Sequence, residues 1–380
     1  MTQKPLAKGY TTGTCAQAAT KAAMWMLMTG KPCEKVQVEL PQGETLALDI
    51  CEIKFGNGEG GKLLPEEVCC AVKKDSGDDP DITNGVLVYS KVSRNQGTEI
   101  TLDGGEGIGR VTKPGLDQPV GAAAINRVPR QMIIKEVKEV CEEVGYEKGI
   151  HVEISIPEGK RLATGTFNPR LGIEGGLSIL GTTGIVEPMS EQALVDTIRV
   201  EMKVCMAGRN RYLIVAPGNY GLDFLSEQYG MKDEDVVKCS NYIGQTLDMA
   251  VDMECRGLLL VGHIGKLIKV AGGIMNTHSR WADCRMELMA AAALRAGIEG
   301  TKAAALLESV TTDDALGKCT PDERVLIMNQ IMNKIEEYMN YRTEGKLVTG
   351  AMTFSGVYGI LGKTDRADEL IESFKRERGL

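Results

Sequence analysis

Histidine, phenylalanine and tryptophan are scarce in this chain. Of 380 residues, 3 are His, 5 Phe and 2 Trp, and aromatics as a whole make up 4%. The core must therefore be aliphatic, filled by Leu, Ile, Val, Ala and the 18 Met. A basic excess is missing too: 44 Lys and Arg against 52 Asp and Glu leave a formal charge of −8. That argues against general nucleic-acid binding, which needs net basic faces. It leaves room for a local basic pocket that takes an anionic small molecule. No apolar run reaches ~18 residues, the approximate length of a membrane span. The opening Met1-Thr2-Gln3-Lys4-Pro5 has no signal-peptide pattern. Cysteine is plentiful, at 11, but the number is odd and no C-x-x-C occurs. The cysteines read as reduced thiols, and the cytoplasm is the expected compartment.

What is present is the composition of an ordinary globular protein, 43% hydrophobic and 25% charged, long enough for two domains. After a polar loop at Lys8–Thr14, the Ala- and Met-rich run Cys15–Met28 predicts a helix. Thr14 and Gln17 have capping-box spacing, which makes Thr14 the expected N-cap. Val36–Leu40 and Thr45–Ile53 alternate with period two about a turn and predict a hairpin. Phe55–Lys62 reads as a glycine-rich loop. Val68–Val72, Val86–Val92 and Glu99–Leu102 read as strands, and Pro129–Val144 as an amphipathic helix. From His151 the rhythm changes. Strands at His151–Ile156, Tyr212–Ala216 and Gly257–Val261 alternate with helices at Ser190–Ala207, Leu222–Gln228 and Asn241–Met253, which suggests a parallel sheet. Helices at Ala282–Ala296, Thr301–Leu307, Asp322–Tyr341 and Asp365–Arg378 follow, with a last strand at Ala351–Ser355. The expectation is an α+β N-terminal domain over residues 1–145, joined to an α/β domain with a mostly parallel sheet over 146–380. The last ~35 residues have the alternative of packing on the first domain.

One stretch concentrates the polar chemistry. Behind the apolar run Gly257–Val261, the segment Gly262–Ser279 presents His263 and His278, with Lys266, Lys269, Asn276 and Thr277 between them. Its Gly-x-x-Gly-Lys-Leu is not a P-loop, because Leu267 stands where a magnesium-binding Ser or Thr is needed. Backbone N–H groups after a strand still suit an anion. A lone histidine is more often structural than functional, and two are too few for an ordinary zinc site. The loop Pro217-Gly218-Asn219-Tyr220-Gly221 lies between a strand and a helix but lacks G-x-G-x-x-G. Asp75, Asp78, Asp79 and Asp81 crowd one turn, which is either a solvated turn or a source of a raised-pKa base. Arg94, Arg110, Lys113, Arg170 and Lys266 recur among Gly and Thr, a setting that suits carboxylates or phosphates. Cys15, at a helix start, has either a lowered pKa or a packing role.

Taken together and in order, these loops resemble a known family. The blocks are Gly9–Cys15, Lys74–Asp81, Gly104–Gly115, Asn168–Gly172, Ser178–Gly184, Lys238–Asn241 and Gly262–Ser279. They span nearly the whole chain and resemble the CbiD family of anaerobic cobalamin biosynthesis. The chain departs from the family pattern at Ala122-Ala123, where Glu-Pro is usual, and at Asn84, where His is frequent. The resemblance implies S-adenosylmethionine-dependent methylation of carbon 1 of cobalt-precorrin-5B, giving cobalt-precorrin-6A. Cobalt would arrive only as part of the tetrapyrrole substrate, with no metal site on the protein. Other enzymes of the pathway are the implied partners, and nucleic acid and membrane are not. On this footing His263 is the candidate base, and Arg94, Arg110, Lys113, Arg170, Lys266 and His278 are candidate substrate-binding residues. Thr11, Thr12, Gly13, Thr14, Gly181, Thr182, Thr183, Gly218 and Asn219 are candidates for holding the methyl donor. Gly262–Ser279 would form one wall of a wide cleft for a flat polyanionic ring. The alternative is a non-catalytic protein that holds a corrinoid intermediate for partner enzymes. No recognisable adenosylmethionine fingerprint separates the two.

Overall fold

Small side chains on almost every face let the first helix be packed from all sides. In the computed structural model, which describes residues 6–56 and 64–380, the strand β1 (Gly9–Tyr10) leads into α1 (Thr12–Thr29). Ala16, Ala18, Ala19, Ala22 and Ala23 are all fully buried, as expected of a helix apolar on every side. The N-cap is Thr11 rather than the expected Thr14. Thr11 is extended, and its Oγ1 accepts the Thr14 N–H at 3.2 Å. The Thr14 hydroxyl instead donates to Gly184 O at 2.7 Å.

The predicted hairpin forms as β2 (Lys35–Glu39) and β3 (Thr45–Asp49). The predicted second strand, Thr45–Ile53, is broken at Ile50. The chain there leaves the hairpin as β4 (Cys51–Gly56), which pairs with β5 (Glu67–Lys73). Most of the expected glycine-rich loop, from residue 57, lies outside the described residues. Then come β6 (Leu87–Arg94), β7 (Ile100–Gly104), β8 (Arg110–Val111), α2 (Arg127–Val144) and β9 (Ile150–Ser155). The main sheet has the order β4-β5-β6-β9-β7, and α1 packs on β5, β6 and α2. β9 lies inside this sheet, antiparallel to β6 and parallel to β7. The first unit therefore runs to Ser190, where the sequence had suggested a boundary at 145. A strand's alternation says that one face is buried but not which strand lies beside it. The unit closes with α3 (Gly159–Ala163), β10 (Ile173–Glu174), paired with β8, and β11 (Ile185–Val186), paired with β1.

The second unit, Glu191–Leu380, opens with α4 (Glu191–Met206), β12 (Tyr212–Ala216), α5 (Asn219–Tyr229), β13 (Val237–Lys238), α6 (Ile243–Asp252), β14 (Gly257–His263) and α7 (Ile264–Val270). It continues through α8 (Arg285–Arg295), α9 (Gly300–Leu307), α10 (Thr312–Gly317), α11 (Pro321–Thr343), β15 (Val348–Ser355), β16 (Gly359–Lys363) and α12 (Ala367–Arg378). Its sheet has the order β13-β12-β14-β15-β16. β12 is parallel to β13 and β14, β14 is parallel to β15, and β16 is an antiparallel edge. Both faces are covered. Leu258 and Leu260 enter the core with α6, α7, α8 and α11. Leu259 and Val261 enter the opposite core with α5 and α12. This is why β14 reads as a continuous apolar run. A Cβ on Gly257 or Gly350 would stand 2.5 or 2.6 Å from Leu370, so glycine lets α12 approach its own sheet. The C-terminal segment thus packs on the second unit's own sheet.

Tight glycine contacts make a direct test of the first unit. Gly107 has φ of 74°, and a Cβ there would stand 1.8 Å from Ile156 O. Gly107→Ala is expected to destabilise by about 3 kcal/mol, measured as a lower urea midpoint with an unchanged slope.

Candidate functional site

Chain order and sheet order part company between β12 and β14. From β12 the chain goes out to β13, then returns to the other side of β12 to form β14. In open α/β sheets, such a reversal leaves a crevice at the carboxyl ends of the strands. The residues that leave those ends are Pro217–Tyr220 after β12, Lys238–Asn241 at β13, His263–Lys266 at β14 and Ser355 at β15.

Each is placed by local structure. Gly221 lets α5 sit close to the sheet, since a Cβ there would meet Ala216 Cβ at 2.8 Å and Val261 O at 2.9 Å. α5 therefore begins at the crevice, behind Gly218, with no side chain capping its first N–H groups. Such a helix start favours an anion. Lys266 leans over it and donates to Pro217 O at 3.0 Å. Burial pushes the Lys266 ammonium below the ordinary lysine range, against a smaller opposing influence from Cys239. Lys238 bonds the Asn219 amide oxygen.

His263 is the last residue of β14 and the first polar one along it. Its Nδ1 accepts the Gly265 N–H at 3.1 Å, so the ring caps α7. Its Nε2 faces Asp313 Oδ2 at 3.8 Å. Phe354 meets the ring edge-on at 5.8 Å, and Tyr220 lies at 6.2 Å. Asp313 Oδ1 accepts the Ser355 hydroxyl at 2.7 Å. Tyr220 in the first turn of α5, Val310 just before α10 and Val357 in the turn after β15 are 75%, 82% and 69% exposed.

The second half of the Gly262–Ser279 stretch is braced from beneath. Lys269, 4% exposed, donates to Thr277 O at 3.2 Å and Ala282 O at 2.8 Å. Thr277 bonds Asn241 Oδ1 at 3.2 Å. His278 Nδ1 accepts the Arg280 N–H at 3.2 Å, which leaves its Nε2 as the outward nitrogen.

In the first unit, loops far apart in sequence knit together. Gly13 N–H donates to Leu180 O at 3.0 Å, and the Leu180 N–H donates to Thr12 Oγ1 at 3.0 Å. Asn168 reaches Gly176 O at 3.0 Å and accepts from Ser178 at 3.1 Å. Thr11, Thr12 and Thr14 are buried, with their hydroxyls engaged within this assembly, while Thr182 is exposed. Gly181 packs on Thr11, where a Cβ would stand 2.3 Å from Oγ1. Arg110 forms a two-pronged pair with Asp103 at 2.7 and 3.0 Å. Arg94 donates to Leu27 O at 2.9 Å and to Pro65 O, anchoring the end of α1. The stem of Lys113 lies against Gly172, on the loop that carries Arg170.

The acidic turn is a latch. Asp75, Asp78 and Asp79 accept the N–H groups of Gly77 at 2.8 Å, Ala7 at 2.6 Å and Met189 at 3.0 Å. Asp81 accepts from Lys74 at 2.7 Å and from Thr83. Burial alone would raise its carboxyl, but Lys74 and Thr83 hold it below the usual carboxylate range. It is therefore no raised-pKa base. Burial pushes the Cys15 thiol up, so the low-pKa alternative for that residue falls away.

Asp313, Ser355 and Lys238 were missed as site residues. Asp313 follows Thr311 in what reads as an ordinary acidic helix start, and Ser355 ends an apolar strand. Neither carries a local signal. The pairing of β15 with β14 brings Ser355 to this edge, and α10 brings Asp313 to His263.

Comparison with known proteins covers both units. A family model described as CbiD matches residues 1–188, and one described as CbiD, C-terminal domain, matches residues 276–365. A cobalt-precorrin-5B C(1)-methyltransferase of Alkaliphilus metalliredigens is 42% identical over 98% of this chain and 96% of its own. A protein of the same name from Ruminiclostridium cellulolyticum is 48% identical over 90% of this chain and 87% of its own. The crystal structure of a cobalamin biosynthesis protein (cbiD) from Archaeoglobus fulgidus shares 26% identity over 72% of this chain and 83% of its own, with a TM-score of 0.39. That overlay is too loose to carry structural detail across.

The depressed Lys266 pKa has a signed consequence. Where a folded-state lysine pKa lies below its unfolded value, the unfolded chain binds more protons, so stability rises with pH through that window. Lys266→Met removes the cost of burying the charge. It is expected to raise the thermal midpoint at pH 7, with the gap from the parent narrowing in alkaline buffer. An equal or lower midpoint at pH 7 would refute it.

Proposed function

The chain belongs to the CbiD family, and on that premise we propose that it methylates carbon 1 of cobalt-precorrin-5B with S-adenosylmethionine, giving cobalt-precorrin-6A. The observation that carries this reading is likeness, nearly end to end, to enzymes named for that reaction. A non-catalytic corrinoid carrier is the less favoured reading, since those relatives carry an enzyme's name.

The donor supplies an electrophilic methyl group: its S–CH3 bond breaks onto sulfur as ring carbon 1 forms the new bond. Such a step mainly needs alignment of the reactants and exclusion of water. The uncapped start of α5 at Gly218 and Asn219 fits a carboxylate such as the donor's. In the first unit, the turn at Gly181–Thr183 is the other candidate for donor contact, with Thr11, Thr12, Gly13 and Thr14 shaping it from within. Acetate and propionate groups of the substrate suit Lys266 and His278 in the second unit; in the first unit, taken by itself, Lys113 and Arg170 are the candidates for such groups. Arg110 would share its guanidinium with Asp103, and Arg94 would act by holding α1. The exposed side chains of Tyr220, Val310 and Val357 suit the face of a flat ring, and Tyr220 lies beside His263, the residue we place nearest the chemistry. Cobalt is part of the substrate, and no group of potential metal ligands occurs among the described residues. No helix among them is long and apolar enough to cross a membrane. The 11 free cysteines support a reducing compartment, the cytoplasm.

Purified protein given cobalt-precorrin-5B and methyl-labelled donor should place label on the ring; bound but unlabelled tetrapyrrole would favour the carrier. Arg170→Ala and Lys266→Ala are each expected to weaken tetrapyrrole binding about tenfold in a spectroscopic titration. Unchanged affinity in both would remove them from the site.

A further inference from the structure

We infer that His263 works as a fixed N–H donor rather than as a base, and that Asp313, itself oriented by Ser355, is the positioning residue that holds it so. This rests on reading the carboxyl edge of the second sheet as the place where the reaction occurs. It deepens that reading by assigning two residues that have no motif.

The argument starts from the two ring nitrogens. A neutral imidazole has one N–H and one lone pair. Here the Nδ1 lone pair is taken by the Gly265 N–H at 3.1 Å, so the neutral ring carries its proton on Nε2. That nitrogen faces the Asp313 carboxylate at 3.8 Å, which favours a proton there and disfavours a bare nitrogen. The distance is too long for a hydrogen bond, so the Nε2–H stays available to an acceptor on the substrate. Freeing Nδ1 to take a proton would break the cap of α7.

Asp313 is held in turn. The Ser355 hydroxyl, 3% exposed, accepts the N–H groups of Val357 at 3.0 Å and Tyr358 at 3.2 Å. Its own proton then goes to Asp313 Oδ1 at 2.7 Å. The Oδ2 has no hydrogen-bond donor in reach among the described residues and is left facing His263. The residue types are those of a hydrolytic triad, but the order differs: serine bonds aspartate instead of histidine. Ser355 is thus no nucleophile. The chain of contacts runs from the turn after β15, through the first turn of α10, to the end of β14.

Two measurements test this, one independent of activity. With only 3 His in the chain, ring nitrogen NMR can be assigned by comparison with His263→Gln. In neutral ligand-free protein the His263 spectrum should show a bare Nδ1 and a protonated Nε2, and Asp313→Asn should perturb it. A protonated Nδ1, or a spectrum that Asp313→Asn leaves unchanged, would overturn the assignment whatever the reaction. In methyl transfer, His263→Gln keeps an N–H donor at about the Nε2 position and His263→Ala does not. Gln is expected to stay within about tenfold of the parent kcat and Ala to lose about a hundredfold or more, the scale of a positioned proton-bearing group. Equal losses would mean that a base had been removed. Asp313→Asn and Ser355→Ala should lower kcat with KM changed by less than about twofold, the mark of an interaction strengthened in the transition state, and Asp313→Glu should recover part of the loss. A fall confined to KM would overturn the positioning role. A parent enzyme that transfers no label would instead sink the functional reading and leave the NMR result to judge His263.

Discussion

β14 is buried on both faces, and the second unit is arranged around that constraint. A parallel strand flanked by β12 and β15 satisfies its backbone groups sideways and must satisfy its side chains with hydrocarbon above and below. Leu258 and Leu260 serve one core, and Leu259 and Val261 the other. Polar residues are thereby pushed to the strand's carboxyl end, where His263 is the first able to carry chemistry. Cover on the second face depends on α5 and α12 coming close, which Gly221, Gly257 and Gly350 permit. The same close approach brings the start of α5 to the crevice, so packing and the anion-favouring helix end come from one requirement.

The first unit solves a different problem. Its main sheet encloses α1 with α2, and its family-like loops bond one another through backbone and threonine hydroxyls. Glycines at Gly13, Gly107 and Gly181 serve close approach between chain segments. Carboxylates of the acidic turn accept N–H groups from segments as distant in sequence as Met189. Much of what looks like binding chemistry in this half is thus the means of fixing loop shape. Thr182, by contrast, is exposed at the turn that follows Leu180.

Much of the fold was legible in the sequence because its elements are strongly patterned. The period-two hairpin, the Ala-rich helix and the apolar run of β14 each follow from one local rule. The domain boundary was not legible. β9 alternates like any half-buried strand, and nothing local says that it pairs with β6 and β7. The split of the second hairpin strand into β3 and β4 was hidden for the same reason, since partner choice is a long-range matter.

The sequence by itself determined that the core is aliphatic, that a parallel-type strand ends at a polar, glycine-punctuated segment, and, through ordered loops, which family the chain resembles. It placed His263, Lys266, Gly218 and Asn219 on loops after strands. Only the tertiary structure decided that these loops share one edge, because the order β13-β12-β14-β15-β16 arises from pairings remote in sequence. It also decided which polar groups are already engaged. Hydrogen-bond partners such as Gly265 for His263, Ser355 for Asp313 and Met189 for Asp79 depend on distances of a few ångströms, and residue type alone does not carry them.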